Sequence, residues 1–546
     1  MLKNNLALFA IVILAVVLRF YQLGQNPPSL DWDETAHGYN AYSILKTARD
    51  EYGYKFPLSF RSFDDYKPPI YTYLVVPAVA AFGLNDFAVR LPSATLGVLA
   101  VVFTYLMVFE LFKNRTIAFL SSLFLAISPW HLQFSRVAFE TNSAIFWSVL
   151  GTWAFLRGIR AQGLKIALWM SFTAIAFGAN LFMYHNARVF IPIFSIMLLF
   201  IFKDRLLINK KYLVVPAIIA IIFSAVLIPI IFSISGQLRY KGTTIFADVS
   251  PQYKNAQLIA QDEQSNQLIL GRIFHNRRFV YIPILIENYL SHLKPTFLFL
   301  TADMDRHHAP QVGLLYLWDL PFILAGIYFL IKNKPASPTG GFDIKSKIIV
   351  LWWFLIAPVA SSVTWGVPHA LRSEIYLPTY QIFAAIGVYT FYKYVRYKRL
   401  YSILVAIALF INFAFYLHQY YIHMPIEYSK AWLYGRKDAA LFTESIKDKY
   451  DRVIVSTKVD QPHEFWLYYL KYDPQKYLAE GGTVSGGFLE DRNKFDKYFF
   501  KPIIYEKQRA EVKTLFVGFP SEFPTDANIL KTIYYLNGEP TIYIAE

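Results

Sequence analysis

Residues 27–39 have the sequence Pro27-Pro28-Ser29-Leu30-Asp31-Trp32-Asp33-Glu34-Thr35-Ala36-His37-Gly38-Tyr39 and directly follow the first long apolar run of the chain, 6–23. They place three carboxylates within four residues at the edge of an apolar segment. One interpretation is a helix N-cap, in which Asp31 or Asp33 caps a helix that runs through Tyr39. The other is a functional site, because carboxylates beside an apolar phase are costly and usually have a partner or a role.

The composition is that of a membrane protein. Of the 546 residues, 55% are hydrophobic and 17% are charged, whereas an ordinary soluble protein has about 25% charged residues. The hydrophobic residues occur in long runs, which argues against a soluble multidomain enzyme and against a disordered protein. The chain has no cysteine, so disulfides, thiolate metal sites and thiol catalysis are excluded.

About eleven apolar runs are predicted as transmembrane helices, which need about 20 residues each. A further run at 70–82 is too short to cross and is predicted to be a buried or re-entrant helix. After 6–23, the predicted spans lie near 91–112, 116–130, 142–156, 166–183, 189–202, 212–235, 312–331, 348–363, 375–392 and 400–421.

The basic residues support this topology. With the N-terminus in the cytoplasm, every short basic loop falls on the cytoplasmic side, as the positive-inside rule requires. If 70–82 were a full span, these loops would lie outside. The formal charge of +15 would suggest nucleic-acid binding in a soluble protein. Here it is a topology signal, and no nucleic-acid partner is expected.

The same topology divides the chain into two parts. Residues 1–421 form the transmembrane part, with a first outer loop at 24–90 that holds juxtamembrane helices and a second long outer loop at 236–311. Residues 422–546 contain no run long enough to span and are predicted to lie outside. The expected fold is mainly α, a multi-pass protein of the cell membrane with about eleven spans and a small extracytoplasmic α/β domain. The active site is expected on the outer face.

The tail has the pattern of a small α/β domain of unknown role. Residues 431–450 have helical periodicity, with apolar positions recurring along one face. Three short apolar segments, 452–457, 514–518 and 541–545, are predicted as strands.

A second acid, Glu140, lies in the next outward loop, four residues after Arg136. On a helix the two side chains would share a face, and a structural ion pair at a helix end is one interpretation. Because Glu140 is on the same side of the membrane as Asp33, the other interpretation is that two carboxylate sites meet at one outer cavity.

Basic groups gather on the outer side as well, among them Lys67, Arg188 and Arg372. A lone arginine at a membrane boundary usually extends its charge to the interface. Several basic groups around an acidic cavity instead suit an anionic ligand, with phosphate the leading candidate. Aspartate and histidine also occur together there, but their spacing is not diagnostic of a metal site. These weak metal candidates are Asp303, His307 and His308.

Several motifs in this order resemble the GT-C membrane glycosyltransferases. They are the Asp33-Glu34 pair, Lys-Pro-Pro-Ile-Tyr at 67–71 and Ala-Val-Arg-Leu-Pro-Ser at 88–93, with Phe134-Ser135-Arg136 and the loop 369–372 as further elements. The nearest groups are the protein O-mannosyltransferases and the aminoarabinose transferases of lipid A. The resemblance covers about residues 1–400, and the tail resembles no module that we can name.

The resemblance implies transfer of a sugar from a polyprenyl-phosphate donor to an acceptor on the outer side of the membrane, usually with inversion. By position, Asp33 matches the catalytic acid of the first loop, and Glu34 is its neighbour. Glu140 resembles the second acidic position, where a shorter Asp is common, and Arg372 resembles a late basic residue suited to the lipid phosphate. Asp31 completes an Asp-x-Asp that mimics the metal-binding motif of other transferases. The lipid-monophosphate branch generally needs no metal, so no cofactor is claimed and a divalent cation, Mg²⁺ or Mn²⁺, stays open.

The expected chemistry fits these residue types. Polyprenyl phosphate is a good leaving group, so cationic groups need only stabilise the phosphate charge. The acceptor hydroxyl needs a base within hydrogen-bond reach. We expect Asp33 in that role, with Glu34 or Glu140 orienting the base or the acceptor. Phosphate contacts are expected from Lys67, Arg136 and Arg372, and sugar contacts from Trp32, Tyr39 and His131. Asp31 and His369 complete the predicted substrate-binding residues.

Two other classes of protein also have many spans. A transporter or lipid flippase often shows two matching halves with broken helices near mid-membrane, but no such halves are evident, and the acids cluster at one face. A membrane protein with a purely structural or binding tail would tolerate the loss of Asp33. The acceptor, whether protein, lipid or cell-envelope glycan, stays open.

Overall fold

A helix overlaps each of the eleven predicted apolar runs in the computed structural model, which describes residues 2–63, 65–276, 279–332, 342–484 and 492–546. Each run is rich in leucine, isoleucine, phenylalanine and alanine, so helix formation satisfies its backbone groups internally. The eleven helices are Leu2–Phe20, Asp86–Phe112, Arg115–Ile127, Glu140–Arg160, Leu164–Leu181, Ala187–Ile201, Val214–Phe232, Asp319–Lys332, Ile344–Ile356, Thr379–Tyr394 and Lys398–His418.

Not all of these helices could cross a membrane on their own. Among the described residues, five helical segments are long and apolar enough to do so. The number rises to six if Arg115–Ile127 and Pro129–Ser135, which meet at a bend of 56°, form one span. The count of about eleven spans therefore stays a prediction. The five segments are Asp86–Phe112, Leu164–Leu181, Lys210–Phe232, Ile344–Ser362 and Lys398–Glu427.

Two helices expose apolar side chains along much of their length. Ile221 and Ile222 are exposed on helix Val214–Phe232, and Phe410 is exposed on helix Lys398–His418. Soluble proteins rarely leave continuous apolar surface of this extent in water, whereas lipid tails accept it. The chain is therefore a membrane protein.

The first outer loop folds into two short helices and a hairpin. Helix Trp32–Thr47 comes first, the antiparallel strands β1 (Phe60–Ser62) and β2 (Asp65–Lys67) follow, and helix Ile70–Phe82 ends the loop. The last helix has the bounds of the short apolar run and packs against both Trp32–Thr47 and Asp86–Phe112. Along the chain the hairpin therefore connects helix Trp32–Thr47, which begins in the polar stretch, to helix Ile70–Phe82.

Further short helices connect these elements. The region 236–311, which was predicted as an outer loop, is largely helical. Outside the apolar runs the helices are Trp32–Thr47, Ile70–Phe82, Pro129–Ser135, Lys203–Ile208, Ile234–Thr243, Ser250–Gln264, Leu268–Phe274, Ile282–Ser291, Val359–Ser362, Ala370–Ser373 and Met424–Glu427; in the tail they are Arg436–Ile446, Pro462–Tyr469, Pro474–Ala479 and Tyr505–Arg509.

The tail contains a six-stranded sheet with the spatial order β4-β5-β3-β6-β8-β7. Strand β3 pairs in parallel with β5 and β6, and the other neighbouring strands are antiparallel. Val453, Ile454 and Val455 of β3 are all buried, as expected for a central strand covered on both faces. The strands are β3 (Arg452–Val455), β4 (Lys494–Phe495), β5 (Tyr498–Phe500), β6 (Thr514–Gly518), β7 (Ile529–Tyr534) and β8 (Pro540–Ala545).

The tail packs directly on the first outer loop. Its helix Pro462–Tyr469 lies against helix Trp32–Thr47. A Cβ atom at Gly38 would lie 2.5 Å from a ring carbon of Tyr468 and 2.8 Å from a methyl carbon of Val89. Glycine at this position therefore allows the close approach of the tail to the helix that carries the polar stretch.

Candidate active site

Asp33 and Lys67 form the accessible edge of the polar stretch. Lys67 Nζ lies 2.6 Å from Asp33 Oδ1, and the Asp33 side chain is 36% exposed whereas that of Lys67 is 9% exposed. Lys67 ends strand β2, so the hairpin carries its ammonium to the first turn of helix Trp32–Thr47. Burial opposes the charged form of Lys67, but Asp33 and then Glu140 favour it and raise its pKa above the usual value. The pair is thus a carboxylate open to solvent beside a buried, charged ammonium.

Glu34 is fully buried and faces away from the accessible edge. Arg90 donates to it through two bonds, Nε to Oε1 at 2.8 Å and Nη2 to Oε2 at 2.9 Å. The backbone N–H of Ala138 also donates to Oε1 at 2.8 Å. Arg90 further donates to backbone carbonyls of the stretch that precedes helix Trp32–Thr47. Through these bonds Glu34 connects its own helix to the segments of Arg90 and Ala138. The predicted catalytic role of Glu34 does not fit this buried position.

Asp31 is the N-cap of helix Trp32–Thr47, as one interpretation of the sequence predicted. Its Oδ1 accepts from the Glu34 N–H at 2.9 Å, and Glu34 completes a capping box. Its Oδ2 accepts from Arg306 Nη1 at 2.8 Å, and the Arg306 guanidinium lies over the Trp32 ring at 4.5 Å. Burial raises the pKa of Asp31 to about 7, although Arg306 opposes the shift. Asp31 and Asp33 are thus each paired with a cation, Arg306 and Lys67 respectively.

Glu140 lies on the same side of the site as Asp33. It begins helix Glu140–Arg160, and its Oε1 is 3.1 Å from His37 Nε2. His37 Nδ1 in turn lies 2.8 Å from Thr72 Oγ1, which fixes the ring. The charge of Lys67 acts on both Asp33 and Glu140. The structure therefore brings the two predicted acids to one ammonium.

Arg136 does not pair with Glu140, and its predicted contact with phosphate does not fit its position. The helix begins only at Glu140, so the i, i+4 geometry assumed from the sequence does not exist. The Arg136 guanidinium is buried and donates to the carbonyls of Leu18, Arg19 and Asn26 and to the hydroxyl of Tyr420. Arg136 therefore stabilises the C-terminal end of helix Leu2–Phe20 and the turn that follows it.

His131 and Tyr39 are also buried away from the accessible edge. His131 Nδ1 lies 2.6 Å from Arg19 Nη2 in the interior of the helical part. The Tyr39 hydroxyl donates to the Tyr472 carbonyl at 3.2 Å, so this ring belongs to the contact with the tail. The predicted sugar contacts of these two residues do not fit these positions.

Arg372 lines a cavity of about 330 Å³ beside the site, together with His185, Arg188 and Tyr240. Its Nη1 donates to Thr364 Oγ1 at 2.9 Å. Apolar residues such as Val189 and Ile231 form the rest of the wall. Two guanidinium groups against an apolar wall suit a ligand that has an anionic head and a hydrocarbon tail.

This cavity is connected to the acidic site through the hairpin. His185 Nε2 lies 2.9 Å from the carbonyl of Tyr66, the residue before Lys67. Arg188 Nη1 lies 3.0 Å from Nδ1 of the same histidine. The cationic cavity and Lys67 are therefore held in one hydrogen-bonded unit.

The weak metal candidates are only partly brought together. One ligand atom each of Asp303, His307 and His369 lies within 4.8 Å of the others. His307 Nδ1 is 2.9 Å from both oxygens of Asp303. His308 lies outside this group, with Nδ1 near the carbonyls of Ala309 and Val312. The substrate-binding role predicted for His369 stays a prediction.

Comparison with known proteins supports the motif-based interpretation. The profile of the family described as dolichyl-phosphate-mannose-protein mannosyltransferase matches residues 66–228. Two proteins of Bacillus subtilis (strain 168), named as the candidate mannosyltransferases YycA and YkcB, are 25% and 24% identical over 213 and 224 residues. The matches cover 38% and 40% of this chain and 29% of each relative, so the shared part is under a third of their length.

The whole fold also has a solved counterpart. The apo crystal structure of ArnT from Cupriavidus metallidurans covers 98% of this chain and 97% of that chain, with a TM-score of 0.54 at 12% identity. The chain therefore has a fold similar to that of ArnT. ArnT bound to undecaprenyl phosphate gives a TM-score of 0.53 with the same coverage. The resemblance to membrane glycosyltransferases that the motifs predicted is confirmed.

Two residues at the candidate site were missed from the sequence. His37 lies four residues after Asp33, so helical spacing alone would have placed both on one face. Arg306 reaches Asp31 across 275 residues, and no local pattern shows that contact. The carboxylates were easier to predict than their partners, because acids in an apolar context are conspicuous and cations in loops are not.

Proposed function

We propose that this GT-C chain transfers a sugar from a polyprenyl-phosphate donor to an acceptor on the outer face of the membrane. The observation that carries the proposal is the partly exposed Asp33 carboxylate beside the buried Lys67 ammonium. The solved relative ArnT binds undecaprenyl phosphate, and the matching family is described by its use of dolichyl-phosphate mannose. In this proposal the chain is a multi-pass protein with its site and tail outside.

The donor phosphate lies between Lys67 and the cavity of Arg188 and Arg372. These cations stabilise the negative charge that grows on the phosphate as the glycosidic bond breaks. The prenyl chain lies along the apolar wall of the cavity, where each buried CH₂ contributes about 0.8 kcal/mol. His185 supports this arrangement because it connects Arg188 to the hairpin that carries Lys67.

Asp33 acts as the base for the acceptor hydroxyl. The hydroxyl oxygen attacks the anomeric carbon, the bond from that carbon to the phosphate oxygen breaks, and its electron pair remains on the phosphate. The hydroxyl proton passes to Asp33. Attack from the face opposite the phosphate inverts the anomeric centre. Glu140 is held by His37 and acts on Lys67 through its charge, so it is a positioning residue here.

The test is sugar transfer by Asp33→Asn in proteoliposomes that contain polyprenyl-phosphate mannose and a membrane extract as the source of acceptors. We expect transfer to fall about 10²–10⁴-fold, the usual contribution of a general base. Asp526→Asn, at an exposed position of the tail, is the matched control and should keep wild-type transfer.

Near wild-type turnover by Asp33→Asn would contradict the assignment of the base. The same vesicles test the competing class of protein. Movement of the lipid donor across the bilayer by the wild-type chain, without a covalent product, would identify a flippase instead.

A further inference from the structure

A second polar group lies between the first outer loop and the tail. Glu51 follows helix Trp32–Thr47, and His463 and Glu464 lie in the first turn of the tail helix Pro462–Tyr469. One ligand atom of each residue lies within 4.8 Å of the others. Glu51, His463 and Glu464 are 2%, 4% and 0% exposed, so the group is closed to solvent.

The carboxylates of this group lack sufficient counter-charge. Among the described residues, neither oxygen of Glu464 has a hydrogen-bond donor, and His463 Nε2 is 3.8 Å from its Oε2. Lys67 and Arg61 favour the charged forms of Glu464 and Glu51 from nearby, but Lys67 Nζ contacts Asp33 and the Arg61 guanidinium lies over the Tyr52 ring. Two carboxylates buried side by side are costly unless a proton or a cation lies between them.

Glu51 is held in place as a metal ligand would be. Asn40 Nδ2 donates to its Oε1 at 2.9 Å, and Thr483 Oγ1 donates to its Oε2 at 2.6 Å. The Tyr477 hydroxyl lies 2.8 Å from the same Thr483 oxygen. Hydrogen bonds of this kind orient ligand side chains around metal ions. Glu464, in contrast, directs an unpartnered carboxylate into the group.

We propose that Glu51, His463 and Glu464 bind a divalent transition-metal ion, with Zn²⁺ the best match, that fastens the tail to the first outer loop. One imidazole and two carboxylates form a mixed nitrogen and oxygen set that suits zinc. Calcium and magnesium instead prefer ligands that are all oxygen. The ion supplies the positive charge that the two buried carboxylates lack. This site is separate from the group of Asp303, His307 and His369 and does not depend on the proposed sugar transfer.

The site has a structural role in this proposal. Asn40 belongs to helix Trp32–Thr47, so the ion connects the tail to the helix that carries Asp33. The loop after helix Pro474–Ala479 closes over Glu51, where the Thr483 N–H donates to the Glu51 carbonyl at 3.0 Å. Removal of the ion is therefore expected to loosen the contact between the tail and the first loop.

The test is metal analysis of the full chain, purified in detergent without a metal-affinity column. We expect inductively coupled plasma mass spectrometry to find one zinc ion per chain. We also expect the unfolding temperature to fall after treatment with a chelator. Glu464→Gln and His463→Ala should lose the metal and the response to chelator. Asn40→Ala keeps all three ligands but removes the bond to Glu51 Oε1 and the bond that Asn40 Oδ1 accepts from the Glu51 N–H, so it should weaken zinc affinity about 10–100-fold.

His307→Ala is the matched control, because it alters the other candidate group and should keep the metal. If His307→Ala loses zinc and His463→Ala keeps it, the ion is at the other group and the proposal is wrong. The proposal would also be wrong if the wild-type chain contained no metal and its unfolding temperature changed with neither chelator nor added Zn²⁺. That result would indicate a shared proton between Glu51 and Glu464 instead of a metal ion. The metal content of the wild-type chain and the response of its unfolding temperature to chelator test the proposal even if a variant fails to fold.

Discussion

Lys67 shows how one residue can organise a site. Its ammonium is buried, contacts Asp33 directly and acts on Glu140 through its charge. Burial opposes the charged form of Glu140, but Lys67 and then His37 favour it and lower its pKa to about 2. Asp33 differs from Glu34 chiefly in exposure, and exposure to an acceptor is what a base requires. Adjacent acids of the same motif thus have different tasks.

The buried N-cap Asp31 leads to a pH prediction. Its folded pKa of about 7 is above the value of about 4 expected in the unfolded chain. The folded state therefore binds this proton more tightly, and the stability it contributes is complete below pH 4 and is lost as the pH rises to about 7. We expect Asp31→Asn to remove this dependence.

The measurement is the unfolding temperature of wild type and Asp31→Asn at pH 5 and pH 7.5. The advantage of the wild type over the variant should shrink at the higher pH. A difference between the two proteins that is the same at both pH values would show that Asp31 does not titrate in this range.

Helix Trp32–Thr47 is the element on which the site and the tail meet. Its first turns carry Asp33 and His37 toward Lys67 and Glu140. Gly38, one residue further, faces the tail helix. Because helical periodicity turns successive residues to different faces, a single helix serves both contacts. Its position is set at once by the capping box, by Arg90 and by the tail.

Gly38→Ala tests the close packing of this element. By helix propensity alone, alanine would stabilise a helix interior by about 1 kcal/mol relative to glycine. The added Cβ would lie 2.5 Å from the Tyr468 ring, and such overpacking costs about 1–3 kcal/mol. We expect a net loss of stability in thermal unfolding.

Gly242→Ala is the matched control, because nothing lies within 4 Å of a Cβ at that helical position. This variant should be neutral or stabilising. An equal response of the two variants would mean that the contact between Gly38 and Tyr468 is not tight.

The sequence predicted elements better than contacts. The apolar runs coincide with helices, and the short run 70–82 has the bounds of its helix, because local hydrophobic patterns and backbone bonding decide these features. In the tail, β3, β6 and β8 were predicted, but β4, β5 and β7 were not. These missed strands are very short or at the sheet edge, so their pattern is weak.

The errors at the site have one physical origin. The pairing of Arg136 with Glu140 assumed a continuous helix, whereas the chain turns before Glu140. His131 was placed by residue type, yet its partner is Arg19, 112 residues away. Likewise, Glu51 and His463 are far apart in sequence and meet only when the tail packs on the first loop. Spacing along the chain carries no information on such contacts.

At the scale of the whole molecule, charge and apolar surface should agree on the orientation in the membrane. The basic loops indicate the cytoplasmic side, and the polar stretch and tail would then lie on the other. The exposed apolar surfaces of helices Val214–Phe232 and Lys398–His418 would then face the lipid between these two sides. The chain offers a clean test of this orientation because it contains no cysteine.

Single cysteines can therefore report which side is outside. We expect Asp526→Cys, exposed in the tail, to react with a membrane-impermeant maleimide in intact cells. Lys210→Cys, exposed in a basic loop, should react only after lysis. The cysteine-free chain gives the background. Labelling of Lys210→Cys in intact cells, or protection of Asp526→Cys, would overturn the topology.

The shared position of helix Trp32–Thr47 has a consequence for regulation. A ligand that binds the tail and shifts this helix would change the affinity of the proposed site beside Asp33 for the proposed donor. Thermodynamic reciprocity then requires that the donor change the affinity of the tail for that ligand by the same factor. The coupling free energy between two such ligands could then be measured from either end of the contact.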